Sequence, residues 1–457
     1  MDRDRDSRPG SQRVSSADLI DLDRRLLWRP YTGNEEHATV SPLLVERAEG
    51  PFIYVQGGRR IFDANASWWC SNLGHRHPRL IAALRRQTEH LVHCAFAGMT
   101  HEPAVRLAEE LLEVAPAGLA RVFFSDNGST SVEVALKMAI QYFRQNGEPA
   151  RYRCVTLPGA FHGDTFGAMG VSDLEEFSGI FEPVCVSAFR PEPPQAERSA
   201  QETAWPRPHQ WGDVVDQVEL IMDRHSDEVA AVIVEPLIQG AAGMRVWPEE
   251  ELRRLREITA KRNVFLIADE VFTGLGRTGA MWACSRAGIT PDMLCTAKGL
   301  SGGMLPFSAT LTTQRVFDGF SGGRERALMH GHTFFGNPLG AAVAREVLSI
   351  YREEGVLESL PPKMNAIRTA FERFSRFEGT NHPRSCGMMG AVDLGTGGYH
   401  GRLGWEVYQE ALKLGALLRP LGDTVYLCPS LTISLEELSE LIDIVDEALN
   451  RVLTSRV

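Results

Sequence analysis

An apolar run that stops at two acidic residues decides the fold of this chain: Val264-Phe265-Leu266-Ile267-Ala268-Asp269-Glu270. A second apolar run, residues 292–297, stops at Lys298 and is followed by small residues. Short apolar runs bounded by turn residues are typical of buried parallel strands. Open α/β sheets bind ligands beyond the carboxyl ends of such strands. We therefore expect Asp269 and Lys298 to lie in one crevice.

Strand-like and helix-like segments alternate along the chain. Helical spacing is found at residues 18–27 and 132–143, and a Pro-, Glu- and Gln-rich stretch at 191–210 predicts a surface loop. The alternation favours an α/β fold with a mainly parallel sheet covered on both faces. From residue 340 onward, helices with short strands are typical of a smaller α/β lobe. The predicted strands are 43–47, 52–55, 60–63, 121–124, 154–157, 229–235, 265–269, 391–394 and 425–427.

The carboxylate and the amine in this crevice suit pyridoxal 5'-phosphate. The aldehyde of this cofactor forms a Schiff base with a lysine, and its ring nitrogen takes a carboxylate partner. The alternative for Asp269 and Lys298, taken as an isolated pair, is a salt bridge or two unrelated charges at strand ends.

Composition and charge narrow the class of protein. The chain has 457 residues, of which 43% are hydrophobic, and this size predicts two closely packed domains. A formal net charge of −11 argues against a nucleic-acid partner, because phosphate backbones are bound by clustered Lys and Arg. The eight cysteines have no metal-ligand spacing, so we expect no metal site and reduced thiols in a cytoplasmic protein.

Neither a signal peptide nor a membrane span is expected. Residues 1–16 mix both charges with Pro and Ser and are not followed by an apolar segment, so we interpret them as a disordered tail. No apolar run approaches the roughly 18 residues that suggest a membrane span.

The turn at residues 125–131 is a second candidate for cofactor binding. Gly128 and Ser129 stand where a predicted strand runs into a helix. The first amides of a helix are unpaired and lie at the positive end of its dipole, so they favour a phosphate group. The alternative is simple capping of the helix by Ser129 or Ser131.

Residues 269–279 and 297–303 closely resemble the signature of class III aminotransferases of fold type I. The resemblance implies a large pyridoxal-phosphate-binding domain at 71–335 and a small domain built from 17–70 and 336–457. It implies that Lys298 and Asp269 are catalytic, and that Gly128 and Ser129 bind the cofactor phosphate. Glu235 would support the cofactor region, with Val271 and Phe161 on the two faces of the ring. Thr333 would reach the phosphate of the neighbouring subunit, which implies a homodimer with shared active sites.

The motifs at residues 28–32, 67–69, 101–104, 161–169 and 418–420 resemble those of the biotin-pathway members of this class. That resemblance implies transfer of an amino group from S-adenosylmethionine to the keto acid 8-amino-7-oxononanoate. The implied substrate-binding residues are Tyr31, Trp68, Trp69, Asp164, Gly331, Arg419 and Tyr426. The tryptophans would line a slot for a polymethylene chain, and Arg419 would clamp a carboxylate; core packing of the tryptophans and a surface position for Arg419 are the alternatives.

Three departures from the family pattern lie at the substrate side. Phe161 replaces the usual tyrosine and His332 replaces a proline. In residues 426–431, the second proline and the tyrosine of the family's Pro-Pro-Tyr motif are missing after Pro429. The cofactor residues are unaffected, but the amino donor is left open. Another ω-aminotransferase of class III, with lysine or a different amine as donor, is the alternative function.

Overall fold

The computed structural model describes residues 15–186, 188–192 and 210–454. Most of the predicted tail and most of the predicted loop at 191–210 therefore lie outside the described residues. Ser15 caps the first helix, Ser16–Leu26, so this helix begins within the last two residues of the predicted tail.

A six-stranded, mainly parallel sheet forms the centre of the fold, as the sequence predicts. The last four of its strands run parallel to one another, whereas Ser308–Thr313 runs antiparallel to both of its neighbours. The strand order is Leu119–Ser125, Ser308–Thr313, Met293–Thr296, Phe265–Asp269, Val229–Val234 and Arg153–Thr156.

Helices cover both faces of this sheet, which explains the unbroken apolar runs in the sequence. Every residue of Val229–Val234 and of Phe265–Asp269 is buried. Successive strand side chains point to opposite faces. One face packs against helix Gly128–Gln145, and the other packs against helices Trp211–Arg224 and Glu249–Lys261. Strands enclosed in this way must be apolar at each position.

The two ends of the chain meet in a second sheet. Strands Val45–Glu49, Phe52–Val55 and Arg59–Asp63 form an antiparallel meander, and Ala416–Leu417 pairs in parallel with the last of them. The C-terminal part adds a three-stranded antiparallel sheet of Thr380–Cys386, Met389–Leu394 and Thr424–Leu427. Most predicted strands thus occur within two residues of their expected bounds.

Further helices account for much of the rest of the described chain. No described helix is long and apolar enough to cross a membrane. All eight cysteines lie in the described part and none is disulfide-bonded. A short hairpin pairs Ile238–Gln239 with Arg245–Val246. The further helices are Asn34–Thr39, Pro78–Thr88, Glu102–Val114, Phe166–Gly170, Glu175–Ser178, Ala283–Arg286, Gln314–Asp318, Pro338–Glu353, Leu360–Phe374, Leu403–Leu414 and Leu435–Thr454, with a short helical turn at Ala66–Trp69.

Candidate active site

Asp269 is the last residue of strand Phe265–Asp269 and is buried, with its side chain held by two hydrogen bonds. His162 Nδ1 lies 2.7 Å from Asp269 Oδ2, and the Val271 N–H donates to Oδ1 at 3.1 Å. His162 is itself buried, and its Nε2 has no hydrogen-bond partner. These contacts fix the orientation of the carboxylate at the carboxyl end of the strand.

Lys298 follows the neighbouring strand Met293–Thr296 and lies in the same crevice as Asp269, as the sequence predicts. Its Nζ is 4.9 Å from the centre of the Trp69 ring and 6.0 Å from that of Phe272. Burial lowers the pKa of the Lys298 ammonium, although the carboxylates of Asp269 and Glu235 oppose that shift. A lowered pKa favours the neutral amine, which is the nucleophilic form.

Glu235 is a buried carboxylate beside the two predicted catalytic residues. It accepts hydrogen bonds from the N–H groups of Phe161 and Gly240, each at 3.0 Å. Burial raises the pKa of Glu235 to about 7, with the negative charge of Asp269 adding to the shift and His162 opposing it. The side chain thus anchors the backbone on which Phe161 and His162 stand.

The start of helix Gly128–Gln145 is where the sequence predicts an anion site. Asn127 caps the helix by accepting the Thr130 N–H at 3.0 Å, so the capping residue is Asn127 and not Ser129 or Ser131. Ser129 Oγ accepts the Thr165 N–H at 3.1 Å. An added Cβ on Gly128 would lie 2.6 Å from Val271 Cγ1, so only glycine fits without displacing a neighbour.

One cavity of about 820 Å³ joins these features. It brings together the Lys298 amine, the Asp269 carboxylate, the helix start at Gly128, and the apolar side chains of Val271 and Phe161. These groups match the aldehyde, the ring nitrogen, the phosphate and the ring faces of pyridoxal phosphate. The residues present therefore fit this cofactor.

The predicted substrate residues Tyr31, Trp68, Asp164 and Arg419 line the same cavity. The Tyr31 hydroxyl donates to Asp164 Oδ2 at 2.6 Å, and the ring centres of Tyr31 and Trp68 are 5.6 Å apart. The Arg419 guanidinium carbon lies 4.8 Å from the centre of the Trp68 ring. Burial and the bond to Asp164 raise the pKa of Tyr31, so its hydroxyl stays protonated.

The two tryptophans differ in their surroundings. Trp68 is 44% exposed at the cavity, whereas Trp69 is 6% exposed and packs against Phe272 with ring centres 4.7 Å apart. Trp69 Nε1 donates to the Tyr426 hydroxyl at 3.2 Å, and both residues also line the cavity. Trp68 is therefore the more accessible wall, while Trp69 combines core packing with a cavity position.

Gly331 and Thr333 do not lie at the cavity of their own chain. Both are exposed on the surface and neither is among the residues that line the cavity. The neighbouring His332 contacts Asp126 Oδ2 through Nδ1 at 2.7 Å, which ties this segment to the loop before helix Gly128–Gln145. A role for Gly331 or Thr333 in substrate or phosphate binding therefore requires a second chain.

The sequence prediction did not assign His162, Phe177 or Tyr399 to the site. His162 directly follows Phe161, which the sequence analysis assigns to one face of the cofactor ring. This neighbouring position could have indicated that His162 belongs to the site. Phe177 contacts the rings of Phe161 and Tyr399, with ring centres 5.3 and 5.4 Å apart. Phe177 and Tyr399 lie in short helical turns without a recognisable motif, and only the tertiary structure brings them to the cavity.

Curated relatives match nearly the whole chain. Adenosylmethionine-8-amino-7-oxononanoate aminotransferase of Geobacter sulfurreducens is 39% identical over 443 residues, covering 95% of this chain and 98% of the relative. The enzyme of that name from Synechococcus elongatus is 40% identical over 440 residues, covering 93% and 99%.

Solved structures give the same family. The Methanocaldococcus jannaschii enzyme of that name superposes with a TM-score of 0.88 at 32% identity, covering 95% of this chain and 98% of the other. A PLP-bound amine transaminase from an uncultivated Pseudomonas species has a TM-score of 0.87 at 30% identity, covering 93% and 99%. The sequence model of the family "Aminotransferase class-III" matches residues 32–449. This chain is therefore a member of the class III aminotransferase family, with the fold type I architecture and the pyridoxal phosphate dependence of that family.

Proposed function

We propose that this aminotransferase transfers an amino group from S-adenosylmethionine to 8-amino-7-oxononanoate and so forms 7,8-diaminononanoate for biotin synthesis. One observation carries the proposal: a single cavity is lined both by Lys298 and Asp269 and by Arg419 beside Trp68. It therefore combines transamination chemistry with a long apolar wall and a cation for a carboxylate. The names of the relatives from Geobacter and Synechococcus support the same reaction.

Lys298 is proposed as the catalytic base. Pyridoxal phosphate, when bound, supplies the carbonyl that accepts the amino group and the ring that accepts electrons. Because the pKa of the Lys298 ammonium is lowered, Nζ can accept the proton from the amine-bearing carbon of the donor. The same amine returns a proton to the acceptor carbon in the second half-reaction, so we expect ping-pong kinetics.

Asp269 is proposed to hold a proton on the ring nitrogen. Its carboxylate is oriented by His162 and by the Val271 N–H, so it does not need to reorganise during the reaction. Phe161 and Val271 are proposed to enclose the ring, and Glu235 fixes the Phe161 backbone. Gly128 and Ser129 are proposed to hold the phosphate through the start of their helix.

Substrate binding is proposed to use the aromatic and charged lining of the cavity. Trp68 and Trp69 offer apolar surface to the polymethylene chain, and the Arg419 guanidinium offers paired donors to the carboxylate. Tyr31, held by Asp164, and Tyr426, held by Trp69, add hydroxyl groups.

We further propose a cytoplasmic homodimer with shared active sites. Gly331, Thr333 and the 61%-exposed Phe334 form a surface segment that another copy of the chain would cover. In that arrangement Thr333 reaches the partner's phosphate and Gly331 its substrate. Eight unpaired cysteines suit a reducing compartment.

The small domain is proposed to comprise 17–70 and 336–457, and the large domain 71–335. The pairing of strand Arg59–Asp63 with Ala416–Leu417 supports this division, because it joins the two parts of the small domain.

A second candidate function has its own support at the donor side. Phe161 lacks the hydroxyl that a tyrosine would place in the cavity, and an ω-transaminase from Pseudomonas jessenii superposes with a TM-score of 0.88 at 28% identity, covering 96% of this chain and 98% of the other. This alternative uses lysine or another amine as the donor.

Product formation from defined donors tests the proposal. The enzyme with pyridoxal phosphate is incubated with 8-amino-7-oxononanoate and either S-adenosylmethionine or lysine, and 7,8-diaminononanoate is quantified by mass spectrometry. The proposal predicts product with S-adenosylmethionine. Product with lysine alone supports the alternative donor, and absence of product with both donors contradicts the proposed reaction.

A further inference from the structure

Residues 66–69 form one turn of left-handed helix beside the cavity. Their φ angles are 45°, 47°, 63° and 70°. The Trp69 N–H donates to the Asn65 carbonyl at 2.8 Å, and the Cys70 N–H donates to the Ala66 carbonyl at 2.9 Å. Non-glycine L-residues rarely adopt this conformation even singly, because Cβ crowds the following carbonyl. The surrounding structure must therefore hold the turn in place.

Asp63 is the side chain that holds this turn. It is 4% exposed and ends strand Arg59–Asp63. Its Oδ2 accepts the Ser67 N–H at 2.7 Å and the Ser67 hydroxyl at 2.8 Å, and it lies 2.8 Å from His75 Nε2. Three contacts thus converge on a single oxygen atom. Since the strand is paired on both sides, this oxygen is a fixed point for the turn.

The turn sets the position of Trp68 relative to Arg419. Two residues after Asp63, Asn65 Oδ1 accepts the Arg419 N–H at 2.8 Å. One short segment thereby fixes the backbone of Arg419 and, through Asp63, the conformation of the turn that carries Trp68. The result is the separation of 4.8 Å between the Arg419 guanidinium and the Trp68 ring.

We propose that Asp63 is a positioning residue for the keto acid acceptor. By holding the left-handed turn it keeps Trp68 against Arg419, so that the apolar wall and the cation are prearranged for a chain that ends in a carboxylate. This inference rests on the proposed acceptor. Asp63 has no direct contact with the reacting atoms in this account.

Asp63→Ala tests the inference through the acceptor KM. We expect the acceptor KM to rise by roughly 10-fold or more, equivalent to about 1.4 kcal/mol. The kcat at saturating acceptor and the absorbance of bound pyridoxal phosphate stay near their parent values. Asp63→Asn retains an oxygen where the three contacts converge, so it should restore most of the affinity.

Rescue by backbone preference separates this role from a general structural one. In Asp63→Ala the Ser67 hydroxyl has already lost its acceptor, so adding Ser67→Gly removes no further bond and favours the left-handed conformation. The double variant should therefore regain acceptor affinity. A rise in KM that Ser67→Gly does not reduce would overturn the inference.

Asp292→Ala is a matched control. Asp292 is also 4% exposed and accepts a backbone N–H, from Leu266 at 2.9 Å, but it precedes strand Met293–Thr296 at the end remote from the cavity. The Asp292→Ala variant should have a lower melting temperature than the parent and an unchanged acceptor KM. A rise in acceptor KM in this control would mean that general destabilisation, and not positioning, explains the Asp63 result.

If Asp63→Ala does not fold, the exposed Ser67 supplies the test. Ser67→Pro forbids the observed φ of 47°, whereas Ser67→Gly tolerates it. We expect a rise in acceptor KM of roughly 10-fold or more for the proline variant, and a glycine variant within about 2-fold of the parent. Equal KM values for the parent and Ser67→Pro would overturn the inference. If instead the parent forms no product, the proposed function fails and not this inference.

Discussion

Gly128→Ala should damage the cofactor site through one defined contact. An ideal Cβ at Gly128 lies 2.6 Å from Val271 Cγ1 and 3.1 Å from Cγ2. Carbon atoms pack best at about 3.5–4.0 Å, so the first contact is too short by about 1 Å. Val271 cannot simply move away, because its N–H is bonded to Asp269 at 3.1 Å. Either the Val271 side chain leaves its rotamer or the start of the helix shifts.

The expected cost follows from this overlap. Overpacking of a well-packed site costs about 1–3 kcal/mol. We expect the free energy of unfolding to fall by about that amount in Gly128→Ala. Displacement of the helix start also moves the amides proposed to hold the phosphate, so the Kd for pyridoxal phosphate should rise by roughly 10-fold, or about 1.4 kcal/mol. Denaturant unfolding and absorbance titration with the cofactor measure the two effects.

Two comparisons test the reasoning. In a Val271→Ala background both γ-carbons are absent, so Gly128→Ala should cost much less than in the parent. Gly212→Ala is the matched control in the first turn of helix Trp211–Arg224, where the nearest atom to an added Cβ is Glu251 Oε1 at 3.4 Å. That control should stabilise the protein by about 0.5–1 kcal/mol. An equal cost of Gly128→Ala in both backgrounds would refute the proposed contact.

Three further predictions concern catalysis, pH and the acceptor. Lys298→Ala should abolish transamination while the circular dichroism spectrum stays that of the parent; appreciable turnover by this variant would contradict the role of Lys298 as base. Burial raises the pKa of Glu270 from 4.5 to about 7, so the folded state binds this proton more tightly than the unfolded state. The stability linked to that proton is therefore present below about pH 4.5 and is lost as the pH rises through about 7, by about 3 kcal/mol in total. Glu270→Gln should remove this part of the pH dependence of the free energy of unfolding. If that free energy changes with pH as steeply in the variant as in the parent, the assignment to Glu270 is wrong. Arg419→Lys, which keeps the charge but loses the planar fork beside Trp68, should raise the acceptor KM by roughly 10-fold, and an unchanged KM would exclude a bidentate carboxylate clamp.

The sequence predicted those parts of the site that depend on local pattern. Strand Phe265–Asp269 has the predicted bounds, and Lys298 follows its neighbour, because a strand covered on both faces must be apolar until it reaches the sheet edge. The change from strand to helix after residue 125 was also predicted, but the helix begins at Gly128 and not at the predicted residue 132, and its capping residue is Asn127.

Other parts of the site depend on tertiary contacts and were not predictable in this way. The predicted Trp68–Trp69 pair divides into an exposed wall and a largely buried residue because of the left-handed turn, which no helical or strand periodicity indicates. Tyr399 reaches the cavity from a short helical turn in the C-terminal part of the chain.

The visible spectrum of the purified enzyme tests the central claim most directly. It is recorded with pyridoxal phosphate bound, and then after separate additions of S-adenosylmethionine and lysine. The account predicts an absorbance band of cofactor bound to Lys298. This band should bleach when S-adenosylmethionine is added but not when lysine is added. Bleaching with lysine only would move the function to the alternative donor, and the absence of any such band after addition of pyridoxal phosphate would contradict the account.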